Sequence, residues 1–454
     1  MGFHFSFYLV FQLLCRLVFR PVFILDSRNV DKSSHLSLET PHHLTSILQF
    51  GVSKEEIPPG TQRSTRHSLY DSSPTTKAFK IQPNIITITM TPIQPPYKVG
   101  IIGYGLSAKI FHIPFLTSPS TSHLYTLHAI VQRTPNPSSD PSKDHPGVTV
   151  YRSTDELFAD PAVQLVIVTT APASHYELAS KAIEAGKHVI VEKPFVPSSS
   201  EGRQLDALAK AKGVMLTVYQ NRRFDADFLL LSRLIREGML GRVVEFETHF
   251  DRHRPEVPSA TSWKNEAAPG TGAVYDLGSH LMDQVVTLFG LPEKITGYTT
   301  PQRLGGAEGF EDSYTALLQY KNGLLATVKA GVVSPEVEQL RFWVRGEKGS
   351  FKKFHLDCQE DQLRGGLRPG MQGYGAEGEE KFGVLTTVTE GGKMARTVAP
   401  TPHGDYSVYY EMVAEALKTG DRSKLPCDPA VAADVIRLVE LARESAKLGK
   451  TLEV

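Results

Sequence analysis

Cysteine is scarce in this chain: Cys15, Cys358 and Cys427 are the only three among 454 residues. They lie far apart and never at C-x-x-C spacing, which argues against a disulfide framework or a thiolate metal site and fits a reducing compartment. Net charge is missing as well. Lys plus Arg number 49, and so do Asp plus Glu, so there is no basic excess for nucleic acid or for an anionic membrane surface to attract. Long apolar runs are also lacking. Phe5 to Cys15 is apolar apart from Ser6 and Gln12, and Arg16 and Arg20 interrupt its continuation. That is short of the about 20 apolar residues needed to span a bilayer. It also lacks the basic start and small-residue cleavage site of a secretory signal.

What is present is an ordinary globular composition, 41% hydrophobic and 22% charged, in a chain too long for one core. The expected division has three parts. Residues 1–91 read as a disordered leader or a mispredicted gene start. Ser27 to Thr89 is rich in Ser, Thr, His and Pro without a sustained period, and Met90 stands where a cytosolic nucleotide-binding domain commonly begins. Residues 92–220 read as a doubly wound parallel α/β domain. Residues 221–454 read as an α+β domain with a large, mostly antiparallel open sheet, whose C-terminal helices pack back on the first domain.

The second part is organised around Lys98-Val-Gly-Ile-Ile-Gly-Tyr-Gly-Leu-Ser-Ala108. Val99, Ile101 and Ile102 are a buried-strand signal, and Gly103, Gly105 and Ala108 follow at G-x-G-x-x-A spacing as a helix begins. Gly103 permits the tight turn, Gly105 lets a pyrophosphate approach the backbone, and Ala108 lets helix and strand pack closely. The turn Gly103, Tyr104, Gly105, Leu106, Ser107 and Ala108 is thus a candidate dinucleotide cradle at a helix N-terminus. A plain glycine turn without a ligand fits the same letters. Leu127–Val131 reads as the second strand. It ends in Gln132-Arg133-Thr134, where an NAD site usually places Asp or Glu on the ribose. Arg133 instead suits a 2′-phosphate, so NADP is expected over NAD, although a solvated Arg also fits. Glu192-Lys193-Pro194 closes a further strand at the sheet edge where ligands bind. Lys193 there can stabilise a developing alkoxide, or simply be a surface lysine.

In the third part, alternating segments at Arg242–Phe250, Ser313–Tyr320, Leu324–Val333 and Leu340–Arg345 read as strands, with Asn322-Gly323 as a hairpin turn. Between them, Asp276, His280 and Asp283 fall at i, i+4 and i+7, on one helix face. His280, whose ordinary pKa lies near neutrality, is the general acid/base candidate, with Asp276 to orient it or to hold a hydroxyl. A core histidine is the bland reading. His249, Asp251 and His253 alternate on one strand but lack a further ligand set, so no metal is expected. Arg252, Arg254 and Lys264 are possible substrate contacts or solvated charges.

The glycine turn, Glu192-Lys193-Pro194 and Tyr275-Asp-Leu-Gly-Ser-His280 together resemble the Gfo/Idh/MocA oxidoreductases, from about Lys98 to the C-terminus. Gln220-Asn-Arg-Arg-Phe224, Phe250-Asp-Arg-His-Arg-Pro255 and Gly366-Leu-Arg-Pro-Gly370 are most similar to scyllo-inositol dehydrogenase-type members. The resemblance implies Lys193, Asp276 and His280 as the catalytic set, and nicotinamide and ribose contacts near Thr170, Pro172, His175, Glu192 and Asn221. It implies a homodimer or homotetramer formed through the open sheet. The expected function is cytoplasmic, NADP-dependent oxidation of a cyclic polyol or sugar. The rival is a catalytically silent, cofactor-binding regulator of the galactose-repressor kind; a reductase of another small carbonyl compound or a tetrapyrrole is a third possibility.

Overall fold

Strand β1, Tyr97–Ile102, is the centre of the first domain because its apolar residues face packed layers on both sides. The computed structural model describes residues 92–257, 268–305 and 310–454. The leader expectation and Lys264 fall outside them. After β1 the chain makes a π-helical turn, Ala108–His112, and a short helix, Ile113–Leu116, with Pro114 in its first turn. The change of winding falls beside Pro114, which has no N–H to continue the ladder.

Strand β2, Tyr125–Val131, and β3, Thr149–Tyr151, lie on one side of β1. Helix α1, Thr154–Ala159, opens on a capping box from Ser153 and Glu156. Strand β4, Leu165–Val168, α2, His175–Glu184, β5, His188–Val191, α3, Ser199–Lys212, and β6, Leu216–Val218, complete the domain. Gly213 ends α3 in the left-handed conformation. The six strands are parallel in the order β3-β2-β1-β4-β5-β6. The order reverses between β1 and β4, and that switch point is where a doubly wound sheet binds its ligand.

Helix α4, Ala226–Arg236, begins the second domain. Strand β7, Val243–His249, is followed by a second π-helical turn, Val274–Gly278, and by α5, Ser279–Phe289. Strands β8, Lys294–Thr300, β9, Ser313–Gln319, β10, Leu325–Ala330, β11, Leu340–Gly346, and β12, Gly349–Phe354, come next. Helix α6, Gln359–Arg364, precedes β13, Gly383–Val388, and β14, Met394–Ala399. Helices α7, Ser407–Thr419, and α8, Pro429–Leu448, lead to the short β15, Leu452–Glu453. The nine strands run β14-β13-β12-β11-β7-β10-β9-β8-β15 and are antiparallel except for the β7–β10 pair. Asn322-Gly323 makes the expected β9–β10 hairpin, with Gly323 at φ +84°.

The last two long helices return to the first domain. Ser199 donates through both its backbone N–H and its hydroxyl to Glu440 of α8, and the Tyr125 hydroxyl donates to the carbonyl of Tyr410 in α7. Among the described residues no helix is long and apolar enough to cross a membrane.

Candidate active site

The glycine turn has the shape its letters require. Gly103 sits at φ +101°, and a Cβ there would come within 2.9 Å of Thr169 Oγ1. A side chain is excluded twice over, by backbone and by space. A Cβ on Gly105 would meet nothing within 4 Å, so the space above that residue is open, as a dinucleotide pyrophosphate needs. Ala108 is fully buried, and Tyr104 is pinned by its hydroxyl to Asp144, 2.7 Å away. Leu106 is exposed. Arg133 lies just past β2, exposed to solvent. Arg152, which no local pattern singles out, reaches the same edge and donates to the Gln132 carbonyl at 2.9 Å.

At the end of β5, Glu192 is buried and heavily bonded. It accepts from Ser107 Oγ, from the Lys193 backbone N–H at 2.9 Å and faces His112 Nε2 at 2.9 Å. The other His112 nitrogen meets the Tyr410 hydroxyl at 2.7 Å. Burial alone would raise the Glu192 pKa. The hydrogen bond from His112, the charges of His112 and Lys193 and the bond from Ser107 overcome it and hold the carboxyl down at about 2. His112 and Tyr410 are not found from the sequence because nothing local connects them to Glu192. A histidine inside the apolar segment after a glycine turn is the available signal.

Lys193 Nζ donates to Asp276 Oδ1 at 2.8 Å and to the Asp276 carbonyl at 3.2 Å. Both side chains keep some solvent access. Asp276 belongs to the π-helical turn, and Ser279 Oγ, just after that turn, donates back to the Tyr275 carbonyl at 2.6 Å. Such turns alter the helical phase locally. The residues expected on one helix face have different partners. Asp276 turns to Lys193, whereas Asp283 is buried and takes a two-pronged bond from Arg223 at 2.6 and 2.7 Å.

His280 is almost fully buried, and its Nδ1 has no hydrogen-bond partner among the described residues. Its pKa is not near neutrality, as its residue type alone predicts. Burial drives it well below 6.5, and the charges of Lys193 and Arg222 push the same way while Asp276 opposes them. The resting imidazole is neutral.

The residues expected on the nicotinamide side lie in the segments that follow β4, β5 and β6. Thr170 shares a hydrogen bond with Ser174 at 2.7 Å, and Pro172 is buried. The His175 ring sits between the carbonyls of Thr170 and Pro194, each 3.0 Å away, and braces the loops that follow β4 and β5. Asn221 is buried at the head of a short helical turn, Asn221–Phe224. The Tyr275 hydroxyl donates to the Pro197 carbonyl at 2.7 Å and joins the second domain to the loop after Lys193.

On the second domain's side, Phe250 carries two guanidinium groups, those of Arg222 and Arg252, each 4.7 Å from the ring centroid. His249 contacts Asp251 at 3.1 Å and Glu247 at 3.4 Å, while His253 is exposed. Among the described residues no group of three or more His, Cys, Asp or Glu is placed to hold a metal.

Comparison with known proteins identifies both domains. Residues 97–220 match the model of the oxidoreductase family NAD-binding Rossmann fold, and residues 232–454 match its C-terminal alpha/beta domain. An oxidoreductase of Schizosaccharomyces pombe is 37% identical, over 79% of this chain and 100% of its own. The scyllo-inositol 2-dehydrogenase (NADP(+)) IolW of Bacillus subtilis is 38% identical, over 78% of this chain and 95% of its own. The crystal structure of an oxidoreductase from Bacillus cereus superposes with a TM-score of 0.71 at 32% identity, covering 79% of this chain and 98% of that one.

Proposed function

The chain belongs to the Gfo/Idh/MocA oxidoreductases, and on that footing we propose that it is an NADP-dependent dehydrogenase of a cyclic polyol or sugar. The observation that carries the reading is the meeting of Lys193, from the end of β5, with Asp276, one turn before the buried and neutral His280. Three groups from two domains share one electrostatic neighbourhood beside an open glycine turn.

The residues present suit a bound nicotinamide dinucleotide. The open space over Gly105, the free backbone at the start of the following turn and the exposed Arg133 fit pyrophosphate and 2′-phosphate. When bound, the nicotinamide supplies a hydride acceptor for oxidation and a donor for reduction. The protein supplies the rest. His280 takes the hydroxyl proton of the substrate as a general base. Lys193 donates a charged hydrogen bond to the same oxygen as it becomes an alkoxide, which stabilises charge where it develops. Asp276 holds the Lys193 ammonium in place at 2.8 Å. Glu192, Ser107 and His112 fix the backbone from which Lys193 projects. The scyllo-inositol and NADP in the name of IolW, which is matched over 95% of its length, support the polyol class and the NADP preference. The open nine-stranded sheet is proposed as the surface for a homodimer or homotetramer.

The test is NADP reduction, followed by absorbance, against a panel of inositols and cyclic sugars. Turnover of at least one, lost in Lys193→Met, supports the proposal. Tight NADP binding with no turnover on any member transfers the chain to the regulator reading.

A further inference from the structure

The charge around the site is unbalanced in one place. Arg252 follows β7 and rests against the Phe250 ring, 4.7 Å from its centroid. Among the described residues its guanidinium makes no hydrogen bond and no ion pair. Among the described residues, the charges that act on it are those of Arg254, Asp276, Arg222 and Glu360. Both acids are already engaged, Asp276 with Lys193 at 2.8 Å and Glu360 with Arg222 at 2.7 Å and Arg364 at 2.9 Å.

Arg222, on the same Phe250 ring, is buried, and its Nε has no hydrogen-bond partner among the described residues. Asp225 adds a long contact of 3.4 Å to its Nη1. Two guanidinium groups are thus held against one aromatic ring, one of them with a buried donor left over. Burial works against the Arg222 charge, but Asp225 and Glu360 outweigh it and raise its pKa. Removing a cation from water without a matched acceptor is costly; that cost falls on Arg252, and repulsion from Arg254 and Arg222 adds to it. Burial and the neighbouring Arg254 hold the Arg252 pKa down at about 10, with Asp276 opposing. A bare neutral polyol would leave this cost unrelieved; an anionic group arriving with the ligand would relieve it.

Resting on the dehydrogenase reading, we propose that the substrate is a cyclic polyol or sugar bearing an anionic substituent, a carboxylate or a phosphate, which Arg252 binds with Arg222 behind it. The reacting hydroxyl lies at Lys193 and His280, and the anion marks the opposite end of the same molecule. Arg254, exposed beside it, extends the attracting field toward solvent.

The experiment is a calorimetric titration of the NADP-bound protein with three matched ligands: glucose, glucuronate and glucose 6-phosphate. One or both anionic members are expected to bind about 10-fold or more tighter than glucose. That margin should narrow as salt is raised. Tighter glucuronate alone identifies a carboxylate site, and tighter glucose 6-phosphate alone a phosphate site. Arg252→Gln should abolish the margin and Arg252→Lys should keep part of it, with NADP affinity as the control that each variant is folded. Equal affinity for all three ligands, or a margin that survives Arg252→Gln, overturns the proposal. The titration is independent of turnover, so the anion site can fail while the dehydrogenase reading stands, as it would if NADP were reduced only with neutral polyols.

Discussion

Lys193 and Asp276, 83 residues apart in sequence, meet at 2.8 Å and make a bond between the two domains at the centre of the candidate site. The contact gives each residue a separable task. Lys193→Met removes the cation that faces the developing alkoxide, and kcat should fall by about 10²–10³-fold. Asp276→Asn leaves the ammonium present but loosely held, so its loss should be smaller. Neither residue belongs to the glycine turn, and fluorescence titration should show NADPH affinity nearly unchanged in both variants. Loss of NADPH binding in Lys193→Met contradicts the assigned role.

His280 sets the direction of the pH dependence. Its pKa is depressed below 6.5 by burial and by the neighbouring cations Lys193 and Arg222. A base must be unprotonated to act, so kcat/KM for polyol oxidation should hold its plateau down through pH 6.5 and fall only below it. An acid limb centred above pH 6.5 rules out His280 as the base. His280→Ala should reduce the rate by about 10²–10⁴-fold, with partial recovery on adding imidazole, a rescue that a purely structural histidine would not show.

Glu192 links the site to stability in acid. Its folded pKa of about 2 lies below the ordinary 4.5. The stabilisation is therefore complete above pH 4.5 and is lost as pH falls from there toward 2, amounting to roughly 3 kcal/mol. In Glu192→Gln the melting temperature should be lower at neutral pH and should decline less steeply between pH 4.5 and 2 than in the native protein. Parallel curves for the two proteins, measured by circular dichroism, refute the linkage.

Arg133 is the residue on which the cofactor preference turns. Its exposed position past β2 leaves its guanidinium available to a 2′-phosphate. Arg133→Ala should lower kcat/KM for NADP by about 10–100-fold and leave that for NAD almost unaltered. Arg152, anchored on the Gln132 carbonyl at 2.9 Å, should contribute a smaller share. An unchanged NADP-to-NAD ratio in the double variant removes both residues from the cofactor site.

These sites are unequally legible in the chain. Strands β4 and β5, and β1 beyond the exposed Lys98, are buried on both faces, and their apolar runs announce them. Helix α4 is readable because an amphipathic stretch ends just before Gly238. Strand β14, exposed along nearly its whole length, has no buried face and hence no alternation to read. The partner of Asp283 is Arg223, 60 residues away in sequence, so the spacing around His280 carries no sign that this carboxylate is already held in an ion pair. His112 and Glu192, 80 residues apart, are joined only by tertiary packing, which no local pattern encodes.

Beneath α5 lies a charged pair that holds the His280 helix from below. Arg341 is fully buried, donating to Asp227 at 2.8 Å, Thr248 Oγ1 at 2.8 Å and Gln284 at 2.8 Å. Gln284 in turn donates to the Arg222 carbonyl at 2.8 Å. Arg341→Met leaves the Asp227 carboxylate buried without its cation, and the protein should lose about 3–5 kcal/mol. Removing both charges, in Arg341→Met with Asp227→Leu, deletes the uncompensated group and should recover most of that loss. Denaturant melts of the two single variants and the double variant close the cycle. If the double variant is as unstable as the sum of the singles, the pair acts through packing alone. A recovered fold with a depressed kcat would show that these charges serve chiefly to aim α5 and its histidine.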